Sequence, residues 1–106
     1  MEVIVRVPHH EYVAFSIMEN WTVLEGEVTA LGKGSAAFLG LLVRKAETVP
    51  GYPALLYDRI GKELCIFLTS TLPPGLRVGD RIRLQARSAG ADRVVARPDE
   101  LFVIKR

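Results

Sequence analysis

The sequence of 106 residues holds one cysteine, two histidines and one tryptophan. A single thiol, Cys65, excludes an internal disulfide and any multi-cysteine zinc site. Set in the apolar run Cys65-Ile66-Phe67-Leu68, it is expected to be a small buried hydrophobe. The two histidines fall in His9-His10-Glu11, the only dense titratable cluster. Adjacent side chains on a strand diverge, and no third spaced ligand follows, so a metal site is not expected there. No apolar run is long enough to span a bilayer, and Met1-Glu2-Val3 lacks the basic start of a secretion signal. A cytoplasmic protein without membrane association is therefore expected. No P-loop, dinucleotide fingerprint or Ser/His/Asp order is present. We expect no enzyme, no catalytic residue and no cofactor.

What the chain does contain is a 49% hydrophobic fraction beside 25% charged residues, the balance of one folded domain over residues 1–106. The net charge of +2 conceals an uneven distribution. Residues 1–32 carry Arg6 against Glu2, Glu11, Glu19, Glu25 and Glu27, a sum of −4. Residues 33–97 carry eleven bases against five acids, a sum of +6, and residues 98–106 balance. A basic segment of this kind suits an anionic partner. Arginine, which supplies ten of the fourteen bases, suits phosphate and base stacking, although composition bias yields the same excess.

Periodicity points to strands. Val3–Val7 is a β-branched run stopped by Pro8, and residues 11–18 fit strand or helix. Along 21–31, Leu24, Gly26, Val28 and Ala30 alternate with Glu25, Glu27 and Thr29, predicting one dry and one wet face. Gly32–Ser35 reads as a turn and Phe38–Lys45 as a buried strand with a basic end. Residues 54–58 and 63–69 are expected to pair as a hairpin turning through Asp58 and Gly61. The two prolines of 71–81 leave little room for a helix. In 81–87, Ile82, Leu84 and Ala86 should face inward and Arg81, Arg83, Gln85 and Arg87 outward. Strands near 93–97 and 101–104 follow a turn in Ser88–Asp92. Many short strands and at most one helix predict an all-β domain: a small closed barrel over residues 21–106, preceded by an N-terminal extension, 1–20.

Leu24-x-Gly26-x-Val28, Leu56-Tyr57-Asp58 with Gly61, Leu76-x-Val78-Gly79-Asp80-Arg81-Ile82-Arg83-Leu84 and Pro98-Asp99-Glu100-Leu101 follow one another in an order that resembles OB-fold domains, most of all the replication protein A and tRNA-anticodon-binding branch. The resemblance covers about residues 22–104. It implies a five-stranded OB-type barrel, here with an extra hairpin or an extended strand near residues 36–49 in the long interval between Val28 and Leu56. Gly26 would let the first strand curl between two neighbours, and Gly79-Asp80 would turn the chain into the fourth.

The resemblance further implies single-stranded DNA or RNA as partner, bound across the second and third barrel strands, alone or as a small subunit of a replication, repair or RNA-processing complex. Tyr57 and Phe67, with Tyr52 nearby, would be the stacking rings, and Arg44, Lys45, Arg59, Lys62, Arg87 and Arg93 the cations around them. Ordinary barrel or interface packing accounts equally for Tyr57 and Phe67. The stripe Arg81/Arg83/Arg87 could equally be solvated or paired with Glu25 and Glu27 across the sheet. The apolar runs 38–43 and 64–68 also fit a protein–protein interaction module or homodimer, with an apolar barrel face covered by another chain and little affinity for nucleic acid.

Overall fold

The computed structural model describes residues 2–6, 12–16, 19–32, 37–69, 71–90 and 93–105. His9-His10-Glu11 and most of the turns expected at Gly32–Ser35 and Ser88–Asp92 lie wholly or partly outside them. The strands, in chain order, are β1 (Glu2–Arg6), β2 (Tyr12–Ser16), β3 (Thr22–Leu31), β4 (Phe38–Thr48), β5 (Glu63–Leu68), β6 (Arg81–Ser88), β7 (Val94–Ala96) and β8 (Phe102–Lys105). β1 and β2 pair antiparallel as a sheet of their own. No helix among the described residues is long and apolar enough to cross a membrane.

The remaining strands run in the order β3-β4-β5-β7-β6-β8, and β3 also pairs with β6, so the first five close a ring. The β5–β7 pairing is parallel and the other four in the ring are antiparallel. β8 hydrogen-bonds to β6 from outside the ring. The result is a small closed five-strand mixed barrel, compatible with the OB-like architecture that the sequence suggests. β4 is one extended strand rather than an added hairpin, and it supplies the second stave of the barrel.

The core follows from period two. Leu24 and Val28 of β3, Leu39, Leu41 and Val43 of β4, Leu64, Ile66 and Leu68 of β5, Ile82, Leu84 and Ala86 of β6, and Val94 and Ala96 of β7 all point inward and are buried. Each barrel strand thus buries one face and leaves the other out. Closure depends on Gly26, which stands opposite both Val43 of β4 and Ile82 of β6. The β3–β4 register slips beside it, and a Cβ there would strike the Leu42 carbonyl. Only glycine lets β3 bend this close to β4.

Gly79 and Asp80 make the expected turn into β6. Gly79 has φ of +94°. The buried Asp80 carboxylate accepts from the Arg77 N–H at 2.9 Å, and the Gly79 N–H and Val28 N–H exchange with the Val28 and Asp80 carbonyls at 2.8 and 2.9 Å. Its acid is accounted for by the turn.

One expectation fails. Residues 54–58 form no strand: the chain between β4 and β5 is a loop holding a single 3-10 turn, Tyr57–Arg59. Leu56 is fully buried and Tyr57 is 54% exposed, the alternation expected of a strand. The buried Thr22 hydroxyl instead accepts the Leu56 N–H at 3.3 Å and pins the loop to β3. The turn at Gly61 exists, with φ of +85°, and it feeds the loop into β5. Gly61 N–H donates to the Val43 carbonyl at 2.8 Å, and Val43 N–H to the Lys62 carbonyl at 3.0 Å, extending the β4–β5 ladder.

Candidate functional site

The outward side chains of β5 alternate with its buried ones, so Glu63, Cys65 and Phe67 face away from the core. Cys65 is exposed rather than buried. Its neighbours in the sequence are apolar, but the pleat assigns Ile66 and Leu64 to the core and leaves the thiol outside.

The ladder registers carry one row across four strands. Phe38 of β4 stands opposite Phe67 of β5, Phe67 opposite Val95 of β7, and Val95 opposite Arg87 of β6. The Phe38 and Phe67 rings lie 6.2 Å apart between centroids at 50°, a tilted aromatic pair. The Arg93 guanidinium sits 5.4 Å from the Phe67 ring centroid, within cation–π range. Next to this row, Gly40 stands opposite Cys65 and Leu42 opposite Glu63, so the β4 side of the face is low and apolar.

An open groove of about 200 Å³ runs beside the row, lined by Arg59, Glu63, Cys65, Ser88, Gly90 and Arg93 with Leu64 and Val94. Ser88, Gly90, Arg93 and Val94 form its far wall. Gly90 has φ of +108°, the Arg93 N–H donates to its carbonyl at 3.2 Å, and the Ala89 N–H donates to the Arg93 carbonyl at 2.8 Å. This tight return brings Arg93 back over Phe67. Asn20, buried, holds the base of the wall: its Nδ2 donates to the Ser88 carbonyl at 3.0 Å and its Oδ1 accepts the Ser88 N–H at 2.9 Å.

Charge is sorted around the barrel. Glu25 pairs with Arg81 at 3.1 Å and with Lys45 at 3.6 Å, Glu27 with Arg44 at 3.6 Å, and Glu47 with Arg83 at 2.9 Å. The acids of β3 and β4 thereby occupy the cations on that flank. Arg81 thus pairs with Glu25, as the sequence allowed, whereas Arg83 reaches Glu47 rather than Glu27. Among the described residues, Arg87 and Arg93 make no ion pair, and Arg59 pairs only with its neighbour Asp58 at 3.3 Å.

The residues singled out in the sequence therefore divide. Phe67, Arg93, Arg87 and Arg59 come together on the aromatic row and its groove. Arg44 and Lys45 lie in the acidic network at the far end of β4, six and seven residues beyond Phe38, or about 20 Å along the strand. Tyr52 and Tyr57 are exposed on the β4–β5 loop, and Lys62 is exposed where that loop enters β5. Sequence reasoning passed over Phe38, Asn20, Ser88 and Gly90. Phe38 was visible as the aromatic opening a long apolar strand, but its pairing with Phe67 depends on register.

Comparison with protein families, with curated proteins and with solved structures finds no match for this chain.

Proposed function

We propose that the outer face of β4, β5 and β7 binds single-stranded nucleic acid, in the manner implied by the resemblance to the replication protein A and anticodon-binding branch of OB domains. The observation that carries this reading is the Phe38–Phe67 pair with Arg93 over its second ring, beside a groove walled by arginine. Every base has a π face, so a partly open aromatic ring takes bases without regard to sequence, and each such stack contributes about 1–3 kcal/mol. Arg59, Arg87 and Arg93 then lie where phosphates would pass. The role is binding rather than catalysis, by a cytoplasmic protein acting alone or as a small subunit of a larger replication, repair or RNA-processing complex.

Fluorescence anisotropy with labelled single-stranded DNA and RNA oligonucleotides, repeated across a salt series, tests the reading. Micromolar binding that weakens steeply with salt is expected, since arginine contacts release counterions. Absence of binding to both at low salt would refute it.

A second reading rests on the apolar character of the β4 side of the same face, where Phe38, Gly40 and Leu42 adjoin Cys65 and Phe67. In this reading a protein partner covers the aromatic row, and the arginines form the polar rim of that interface. It predicts no salt-dependent binding of oligonucleotides.

A further inference from the structure

Among the described residues, β8 is paired on one side only. It follows β6 through Ile82 opposite Val103 and Arg83 opposite Phe102, and it ends the sheet order. Its apolar residues are open on both faces of the strand: Phe102 is 58% exposed, Val103 37% and Ile104 49%. Edge strands normally carry charge or proline where another strand could join them. Phe102-Val103-Ile104 has neither; the register slip against β6 falls at Ile104, and Phe102 and Val103 keep regular register opposite Arg83 and Ile82.

We propose that this edge pairs antiparallel with β8 of a second copy of the chain, joining two barrels through one continuous sheet. The charge pattern selects the occupant. Asp99 and Glu100 precede the strand and Lys105 ends it, with no charge between. An antiparallel pairing about Phe102 and Val103 brings the acidic turn of each copy beside the basic end of the other. A parallel pairing would place like charges together. The interface is isologous, so the association closes at a dimer instead of propagating. Four residues per strand make it small, of the transient class.

The dimer leaves the aromatic row free. β8 joins β6 at Arg81–Arg83, whereas the row meets β6 at Arg87, four residues or about 13 Å farther along. The two surfaces are therefore separable by mutation.

Sedimentation equilibrium of the full chain, taken to about 1 mM, tests the proposal. A monomer–dimer equilibrium is expected. Val103→Lys should raise the dimer dissociation constant about tenfold or more, one factor of ten being a modest change in free energy. Glu100→Lys and Lys105→Glu should each weaken the dimer, and the double swap should restore it, a rescue that misfolding cannot mimic. Phe67→Ala should leave self-association unchanged. A chain that stays monomeric throughout, or a dimer that ignores Val103→Lys and both charge reversals, overturns the proposal, whichever other strand or surface then meets β8.

Discussion

The side-chain amide of Asn20 completes the β3–β6 ladder by hydrogen-bonding both backbone groups of Ser88. Thr22 stands opposite Ala86 in that ladder, so the next position that faces the same way would set residue 20 against residue 88. There the main chain of the partner is replaced by a carboxamide, which supplies one donor and one acceptor as a peptide group does. The strand is thereby extended by one step at the place where β6 leaves the barrel and its loop turns toward the groove. Asn20→Ala strands two part-buried backbone groups, and we expect a loss of about 1–3 kcal/mol in denaturant unfolding. Asn20→Asp keeps the acceptor and loses the donor, and should also destabilise. An alanine variant as stable as the parent would show the contact to be idle.

If the outer face binds single-stranded nucleic acid as proposed, Phe67 is the residue on which that binding turns. Removal of the ring takes away both the stack with Phe38 and the cation–π partner of Arg93, but the side chain points away from the core. Phe67→Ala should therefore weaken binding of single-stranded oligonucleotides by about 1–3 kcal/mol, the range of one base–aromatic stack, with a much smaller effect on the melting temperature. Phe38→Ala should follow it in direction. Loss of fold in both variants would make the rings structural, and binding unaltered in both would move the site elsewhere.

On the proposed function, position on the barrel decides which arginines matter. Arg93 makes no ion pair among the described residues and sits over Phe67, while Arg83 is held by Glu47 on the opposite flank. Arg93→Ala should lower affinity and reduce the slope of log affinity against log salt by about 1, the signature of one lost phosphate contact. Arg83→Ala should leave the slope unaltered. Anisotropy titrations at four or so salt concentrations compare them directly, and equal effects would mean that overall charge, not the groove, attracts the ligand.

These contrasts mark how far the sequence could be read. The alternations at Leu24–Val28 and Ile82–Ala86 report local period two, and both stretches fold as that pattern dictates, whereas a register shift after Val28 leaves Ala30 half-buried and buries the Thr29 hydroxyl that the pattern put outside. Tertiary information is different. The run Cys65–Leu68 says that the strand is apolar, not which face is covered, so Cys65 was misplaced. Leu56 inward and Tyr57 outward fits a strand or a pinned loop, and the choice was made by Thr22, 34 positions away. The second barrel strand could be assigned only once Phe38–Thr48 was known to be unbroken. The union of Phe38 with Phe67, and of Asn20 with Ser88 across 68 positions, is set by register and closure, which no short window contains.

Gly26 offers the sharpest test of that closure. It carries β3 between β4 and β6 at a register slip, where a methyl group would drive into the Leu42 carbonyl and crowd the Val43 backbone. Backbone cannot move aside as a flexible side chain can. Gly26→Ala should therefore cost more than the roughly 1–3 kcal/mol typical of an overpacked core, and the variant should melt early or fail to fold. Gly61→Ala provides the comparison: open space surrounds that glycine, and only its φ of +85° opposes a side chain. Its penalty should be smaller, about 1–2 kcal/mol, as for one residue held in the left-handed region. Thermal unfolding of the two variants should thus rank Gly26→Ala well below Gly61→Ala. The reverse order would mean that β3 does not pass this close to β4, and the ring would have to be opened at that seam.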